Sequence, residues 1–511
     1  MSLDSKLSIS ENRPDSPNAI DSIKQAIVPL SIVLVVLFAA SLVIAPSGFA
    51  TGILALAIAI PGAILVWNYP EYMLLGLIFL ESDIILADQL LDLRLAGGGL
   101  DLRDLFLLGS FGLTFIKQLY NRNLKIPFFP IGGMLILFLG MAVVSLVNSL
   151  VFENVSFNWA LNDFRILLYY TLFFTTSWGI QTRSQLKTLM LGLYAMANFV
   201  VILMVIQQIV GIDRFIVPGM VRWQISLEGG SAVRILPPLI LLIGTLLVIT
   251  FAYSFYCQNP KIRLLAIGQF SVLLLGFILT FTRSAWLTSF VAMFLVLLVI
   301  ANKNRRIAAY VSVLLTPLLI SIVILFATVP VSFFEDIPLA GTLIARGLSI
   351  FDVEETAGSD SLQWRVFENS EAVRSISERP IFGVGLGNQY RPITIIQGEA
   401  AGYRTNEDIT RLTRYIHNSF LSMAVKMGVP VLILFLSIYG IFILMGWNLQ
   451  AQLPNGFHKS VALGVIAIFI PSLFWAQFFS LYTESNHIIS VSMFMGIVGV
   501  IAKIHKKKSL L

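Results

Sequence analysis

The segment Arg411-Leu-Thr-Arg-Tyr-Ile-His-Asn-Ser-Phe420 sets one imidazole beside two guanidiniums, where a polar loop gives way to an apolar run. His417 is one of only four histidines in the chain. Imidazole titrates near neutrality and can take a proton from a hydroxyl, so His417 is the candidate general base. Asn418 is a candidate to orient its ring, and Arg411 and Arg414 add positive charge beside it. The other three histidines have plainer surroundings: His458 and His505 stand in basic clusters, and His487 in a short turn.

Further guanidiniums sit where spans begin or end. Arg283 lies in Phe281-Thr-Arg-Ser-Ala-Trp286, a tight turn between two apolar runs with no acidic neighbour. Arg165 lies in Asn162-Asp-Phe-Arg165, and Arg214, Arg222 and Arg234 belong to a second polar loop over residues 211–232 and its return. A planar, permanently charged guanidinium binds phosphate oxygens two at a time. These arginines are therefore candidates to hold a diphosphate. Ion pairing is the competing reading, and loop arginines such as Arg346, Arg391 and Arg404 are read that way first, because the same face carries many carboxylates. Arg165 has Asp163 as a ready partner. No metal site is expected: HExxH is absent and Cys257 is the single cysteine. Gly383-Val-Gly-Leu-Gly387 lacks the strand-to-helix setting of a phosphate loop and reads as a tight turn.

The elements that must position these groups are apolar. A chain of 511 residues with only 12% charged residues and a mean hydropathy of +0.86 is an all-α polytopic membrane protein rather than a soluble one. A span takes roughly 20 apolar residues. About fourteen segments (12–14) qualify, near 26–45, 50–68, 71–87, 103–117, 128–148, 162–180, 186–210, 235–256, 263–281, 285–302, 307–328, 429–447, 460–480 and 487–503. Lysines and arginines in alternate short loops put both termini in the cytoplasm. Every lysine but Lys426 falls on that side, whereas most arginines fall outside. The resulting domains are a tail over 1–25, eleven spans over 26–328 with the outer loop 211–232, a large periplasmic loop over 329–416, an interfacial helix and three spans over 417–503, and a basic tail over 504–511. The first apolar run is too long for a signal-peptide core and is read as a retained span. The segment Leu91–Asp104 reads as an interfacial turn, Asp360–Ile376 as amphipathic helix, and Ser419–Lys426 as a short helix stopped at Gly428-Val-Pro430.

Together the Phe-Thr-Arg-Ser-Ala-Trp turn, Trp364-Arg365, Arg379-Pro-Ile-Phe-Gly-Val-Gly-Leu-Gly387 and His417-Asn-Ser-Phe420 resemble, in type, order and spacing, the bacterial O-antigen ligase and Wzy polymerase superfamily over about residues 270–445. The resemblance implies a glycosyltransferase of the inner membrane. Such enzymes take a glycan from undecaprenyl diphosphate at the periplasmic face and pass it to a lipid A-core or to another glycan, in lipopolysaccharide or exopolysaccharide synthesis. By resemblance His417 is the base, the arginines engage the diphosphate, and no metal or cofactor takes part.

The mechanism expected is one displacement at the anomeric carbon, with inversion. His417 deprotonates the acceptor hydroxyl, Arg283, Arg165 and one of Arg214, Arg222 and Arg234 hold the diphosphate, and Arg411 and Arg414 complete the cage. Arg365, Asn418, Gly383 and Gly385 support the loop. The partners expected are the lipid-linked donor, the acceptor and membrane lipids, with no nucleic acid. The competing functions are a multi-span transporter of a small anion and a non-catalytic component of polysaccharide export.

Overall fold

The computed structural model describes residues 67–82, 93–95, 98–100, 102–212, 221–227, 230–303, 360–391 and 412–509. Two compact units divide at residue 73. Of the first, only residues 67–73 are described; the other described residues all belong to the second. The expected spans at 26–45, 50–68 and 307–328 lie outside the described residues, as do Arg214, Arg411, Arg346 and Arg404.

Helix α1 (Pro70–Glu81) precedes a short hairpin, β1 (Leu93–Leu95) and β2 (Gly98–Leu100), in the segment expected to turn at an interface. Next come α2 (Leu102–Tyr120), α3 (Ile131–Val151), α4 (Phe157–Leu167), α5 (Leu172–Gly179) and α6 (Arg183–Val210). A second hairpin, β3 (Val221–Leu227) and β4 (Gly230–Leu236), leads to α7 (Ile240–Tyr256), α8 (Pro260–Ile278) and α9 (Arg283–Lys303). Helix α10 (Asp360–Glu378) belongs to the expected large loop. Helices α11 (Ser419–Met427), α12 (Val429–Gln452), α13 (Phe457–Trp475) and α14 (Ser485–Ser509) complete the described chain.

Among the described residues, seven helices are long and apolar enough to cross a membrane: α3, α6, α8, α9, α12, α13 and most of α14. The protein is a helical, multi-pass membrane protein. The segment expected to span at 162–180 is helical but is built of two helices, α4 and α5, joined by the 3-10 turn Leu168–Thr171. Two hydroxyls bond back to carbonyls of the preceding turn around that joint, Thr171 on Leu168 and Thr175 on Thr171, while the Tyr170 hydroxyl donates to the distant Tyr482 carbonyl. Such back-bonding competes with the helix ladder and bends it.

Local chemistry explains the remaining boundaries. Thr182 and Gln185 form a reciprocal capping box at the start of α6. Asn259 caps α8 ahead of Pro260 at its first position. Helix α7 is apolar on all sides and accordingly is buried on nearly all of them. With 28 residues, α6 is about 42 Å long, so its two ends mark opposite ends of the bundle. Gln208 near its C-terminus holds Val233 of β4 through both amide atoms. The second hairpin is thus fixed to the same end as the α8–α9 turn.

Candidate active site

The turn between α8 and α9 is built by its own hydroxyls and indole. Thr282 Oγ1 donates to the Thr280 carbonyl at 3.0 Å, and Trp286 Nε1 donates to the Phe277 carbonyl at 3.1 Å, satisfying an end of α8. Arg283 therefore opens α9. Arg234, opposite Trp223 in the hairpin register, reaches this turn, with Nη2 at 3.5 Å from Thr282 Oγ1. Burial and the neighbouring guanidiniums of Arg283 and Arg365 lower the pKa of Arg234. The guanidiniums of Arg283 on α9 and Arg365 on α10 are thus near enough to Arg234 on β4 to act on its charge.

Arg365 carries the cluster across to the histidine. Burial lowers its pKa against the opposing pull of Glu368 and Tyr415. Glu368 lies one turn further along α10, its side chain 1% exposed. Its Oε2 stands 2.7 Å from His417 Nδ1 and accepts from the His417 backbone N–H at 3.3 Å. Its Oε1 accepts from Trp364 Nε1 at 3.0 Å and pairs with Arg391 Nη2 at 3.6 Å. Arg391 is buried, bonded to the Leu412 carbonyl and stacked over Trp364. A carboxylate only accepts, so the contact places a proton on His417 Nδ1, and in the neutral ring Nε2 then carries the lone pair. The imidazole is 31% exposed and stands edge-on to Tyr415, with ring centroids 4.9 Å apart. The Tyr415 hydroxyl donates to Glu484 at 2.8 Å, and burial raises its pKa, so it stays a donor.

Asn418 does not orient the imidazole; that reading is corrected. Its side-chain oxygen accepts from Phe420 and Leu421 N–H and caps α11. Ser419 then ties the start of α11 to the end of α13 through the Ala476 and Phe479 carbonyls. His417 is therefore held one residue ahead of a capped and anchored helix.

The glycine run supports this helix from its other end. Val384 and Gly385 N–H donate to the Val425 and Lys426 carbonyls, which the end of α11 leaves open. Gly383 has φ +68, and a Cβ there would lie 2.4 Å from the Val425 oxygen. Gly428 has φ +89, and a Cβ there would lie 1.9 Å from the Ile381 oxygen, so only glycine closes this joint. The run is a structural clamp, as the tight-turn reading expects.

The other predicted arginines lie in different surroundings. Arg165 pairs with Asp104 at 3.1 Å rather than with Asp163, which binds Lys426 and Gly387 N–H. Arg414 donates to the Gly387 carbonyl at 2.9 Å and lies over the Trp159 ring at 4.2 Å. Arg222 stands opposite Ile235 in the hairpin. Glu368 and Arg391 are the participants that the sequence reading missed or assigned only to ion pairing. The available signal for Glu368 was its place at helical spacing with Trp364, Ala372 and Ser375, a face half-buried at Trp364 and buried beyond it, where a lone carboxylate needs a partner.

Residues 269–436 match the family model described as O-antigen ligase. This stretch, 269–436, is similar to that family. It contains His417, Glu368, Arg365, Arg391 and Arg283; Arg234 joins from outside it. No curated protein matches the chain. The similarity to that family covers this part of a chain whose long apolar helices make it a membrane protein.

Proposed function

We propose that the protein transfers a glycan from undecaprenyl diphosphate to an acceptor sugar hydroxyl at the periplasmic face of the inner membrane. The observation that carries this reading is the His417–Glu368 pair, with Arg365 beside Glu368 on α10 and in turn close to Arg234 and Arg283, in and next to the stretch similar to O-antigen ligases. Glu368 holds the Nδ1 proton, and Nε2 takes the proton of the acceptor hydroxyl. The acceptor oxygen bonds to the anomeric carbon as the carbon–phosphate oxygen bond breaks, and the diphosphate leaves with the electron pair. A single displacement inverts that centre.

Arg283, Arg234 and Arg365 hold the leaving diphosphate. Bringing three cations together is costly in itself. A dianion between them offsets that cost and is best stabilised when its charge has fully developed. The reaction as drawn takes no metal. Of the second-loop arginines, the contact with Thr282 favours Arg234. Arg165 and Arg414, with their own partners, are assigned to holding the α4 and α11 segments. Helix α10, from the segment expected to form the large outer loop, brings Arg365 and Glu368 to the site.

Arg283→Lys keeps the charge but loses the fork that grips two oxygens. It is expected to lower kcat/KM for the lipid-linked donor by about tenfold to a hundredfold. Steady-state rates of polyprenyl diphosphate release measure this; an unchanged value removes Arg283 from the site. Deleting the protein and separating the surface glycans on a gel tests the cellular role. Loss of long chains with single repeats still attached identifies a polymerase. Loss of all attached chains, with carrier-linked polymer accumulating, identifies a ligase. An unaltered pattern, with saturable anion uptake by vesicles, would favour transport instead.

A further inference from the structure

A cavity of about 660 Å³ lies at the opposite end of the bundle from His417, between the N-terminal halves of α6 and α8 and over α7. Helices α6 and α8 run in the same direction and meet near their far ends. There a Cβ on Gly276 would lie 2.2 Å from Val201, and Asn198 and Gln269 exchange hydrogen bonds of 3.0 and 2.7 Å. Between that amide pair and the helix N-termini the two chains leave the cavity open. Its walls are mostly apolar, with Leu191 and Leu265 along the sides.

Its mouth is cationic. Arg183 and Lys187 stand one turn apart at the start of α6, and His458 faces them from the start of α13. Both α6 cations are exposed and make no hydrogen bond or ion pair among the described residues. Nearby cations are already engaged: Arg263 binds the Cys257 carbonyl, and Lys459 binds the Leu453 carbonyl. Helices α6, α7, α8 and α13 contain no aspartate or glutamate. Like charges at i,i+4 repel, and cations in a first helical turn oppose the helix dipole. A phosphate bound between Arg183 and Lys187 reverses both costs, while the apolar cleft behind them suits hydrocarbon. The volume lies in the range of sites that enclose a ligand of several hundred Å³.

We propose that this cleft is a binding site for an anionic phospholipid, its headgroup phosphate held by Arg183 and Lys187 with His458 behind them and an acyl chain lying between α6 and α8. The site is separate from the glycan-transfer site and does not rest on that reading. Native mass spectrometry of the full chain, released from detergent with either phosphatidylglycerol or phosphatidylcholine, tests it.

The wild type is expected to prefer phosphatidylglycerol by about tenfold, as two cations near a lipid phosphate imply. In Arg183→Gln/Lys187→Gln the preference is expected to fall to near unity, with glycan transfer and melting temperature in phosphatidylcholine unchanged. Lys117→Gln/Arg122→Gln removes the same charge elsewhere and should keep the preference. Equal binding of the two lipids by the wild type overturns the proposal, as does equal loss in the Lys117/Arg122 control. Displacement of phosphatidylglycerol by millimolar inorganic phosphate would make this a free-phosphate site and overturn the lipid assignment.

Discussion

Replacing His417 by alanine is expected to slow glycan transfer by about 10²–10⁴-fold, the range that a positioned proton acceptor contributes. The fold should survive. Glu368 keeps Trp364, Arg391 and the His417 backbone N–H, so its buried charge stays neutralised. The lost side-chain hydrogen bond costs about 1 kcal/mol. Binding of the donor should be nearly unaltered, because the guanidiniums that hold the diphosphate are on β4, α9 and α10. Two readouts together check this: the rate of lipid-linked glycan consumption and the melting temperature in detergent. Transfer at the wild-type rate would remove His417 from the chemistry. Loss of rate with loss of fold would leave its role structural.

Glu368→Gln is expected to slow transfer on the same scale, about 10²–10⁴-fold, although Glu368 touches no substrate in this mechanism. The amide oxygen can keep Trp364, but the amide nitrogen then donates toward His417 Nδ1. The ring must place its own proton on Nε2, where the acceptor hydroxyl is to be deprotonated. An amide substituted for the orienting carboxylate disables serine hydrolases in the same way. The readout that separates positioning from folding is the split between constants: kcat falls while KM for the lipid-linked donor holds. Stability also falls, because buried Arg391 loses its anionic partner, and breaking a buried pair costs about 3–5 kcal/mol at most. Glu368→Asp keeps the charge and should recover part of the rate. If the Gln variant turns over normally, the histidine needs no orienting carboxylate and the assignment of Nδ1 as donor is wrong.

How far the sequence carries can be judged residue by residue. The α8–α9 turn was legible because Thr282 and Trp286 lie within four residues of Arg283 and fold it locally. The short α11 and its break were legible for the same reason, with Asn418 at one end and Gly428-Val-Pro430 at the other. Asn418 was given the wrong task because a cap and a ring-orienting group call for the same residue type. Glu368 is 49 residues from His417, so only tertiary structure brings the two together. Arg391 was read as an ion-pairing arginine, and it is one, although its partner is the carboxylate that holds the histidine.

The second hairpin had a local signal. Val221, Trp223, Ile225 and Leu227 alternate with polar residues ahead of a Gly-Gly turn, the period of a half-buried strand. Span-length hydropathy averages that alternation away. The break between α4 and α5 escaped because it is a single 3-10 turn with local hydroxyl bonds, too short to register in a span-length reading.

The central claim is that His417, oriented by Glu368, moves the proton while Arg283, Arg234 and Arg365 take the diphosphate. Reconstitution of the purified protein in liposomes with a polyprenyl-diphosphate glycan and a soluble acceptor glycan tests it most directly, by counting new glycosidic bonds against polyprenyl diphosphate released. The wild type is predicted to form one bond per diphosphate with inverted configuration, and His417→Ala to form both products about 10²–10⁴-fold more slowly. Equal release by the two proteins, or retained configuration in the product, would contradict the claim.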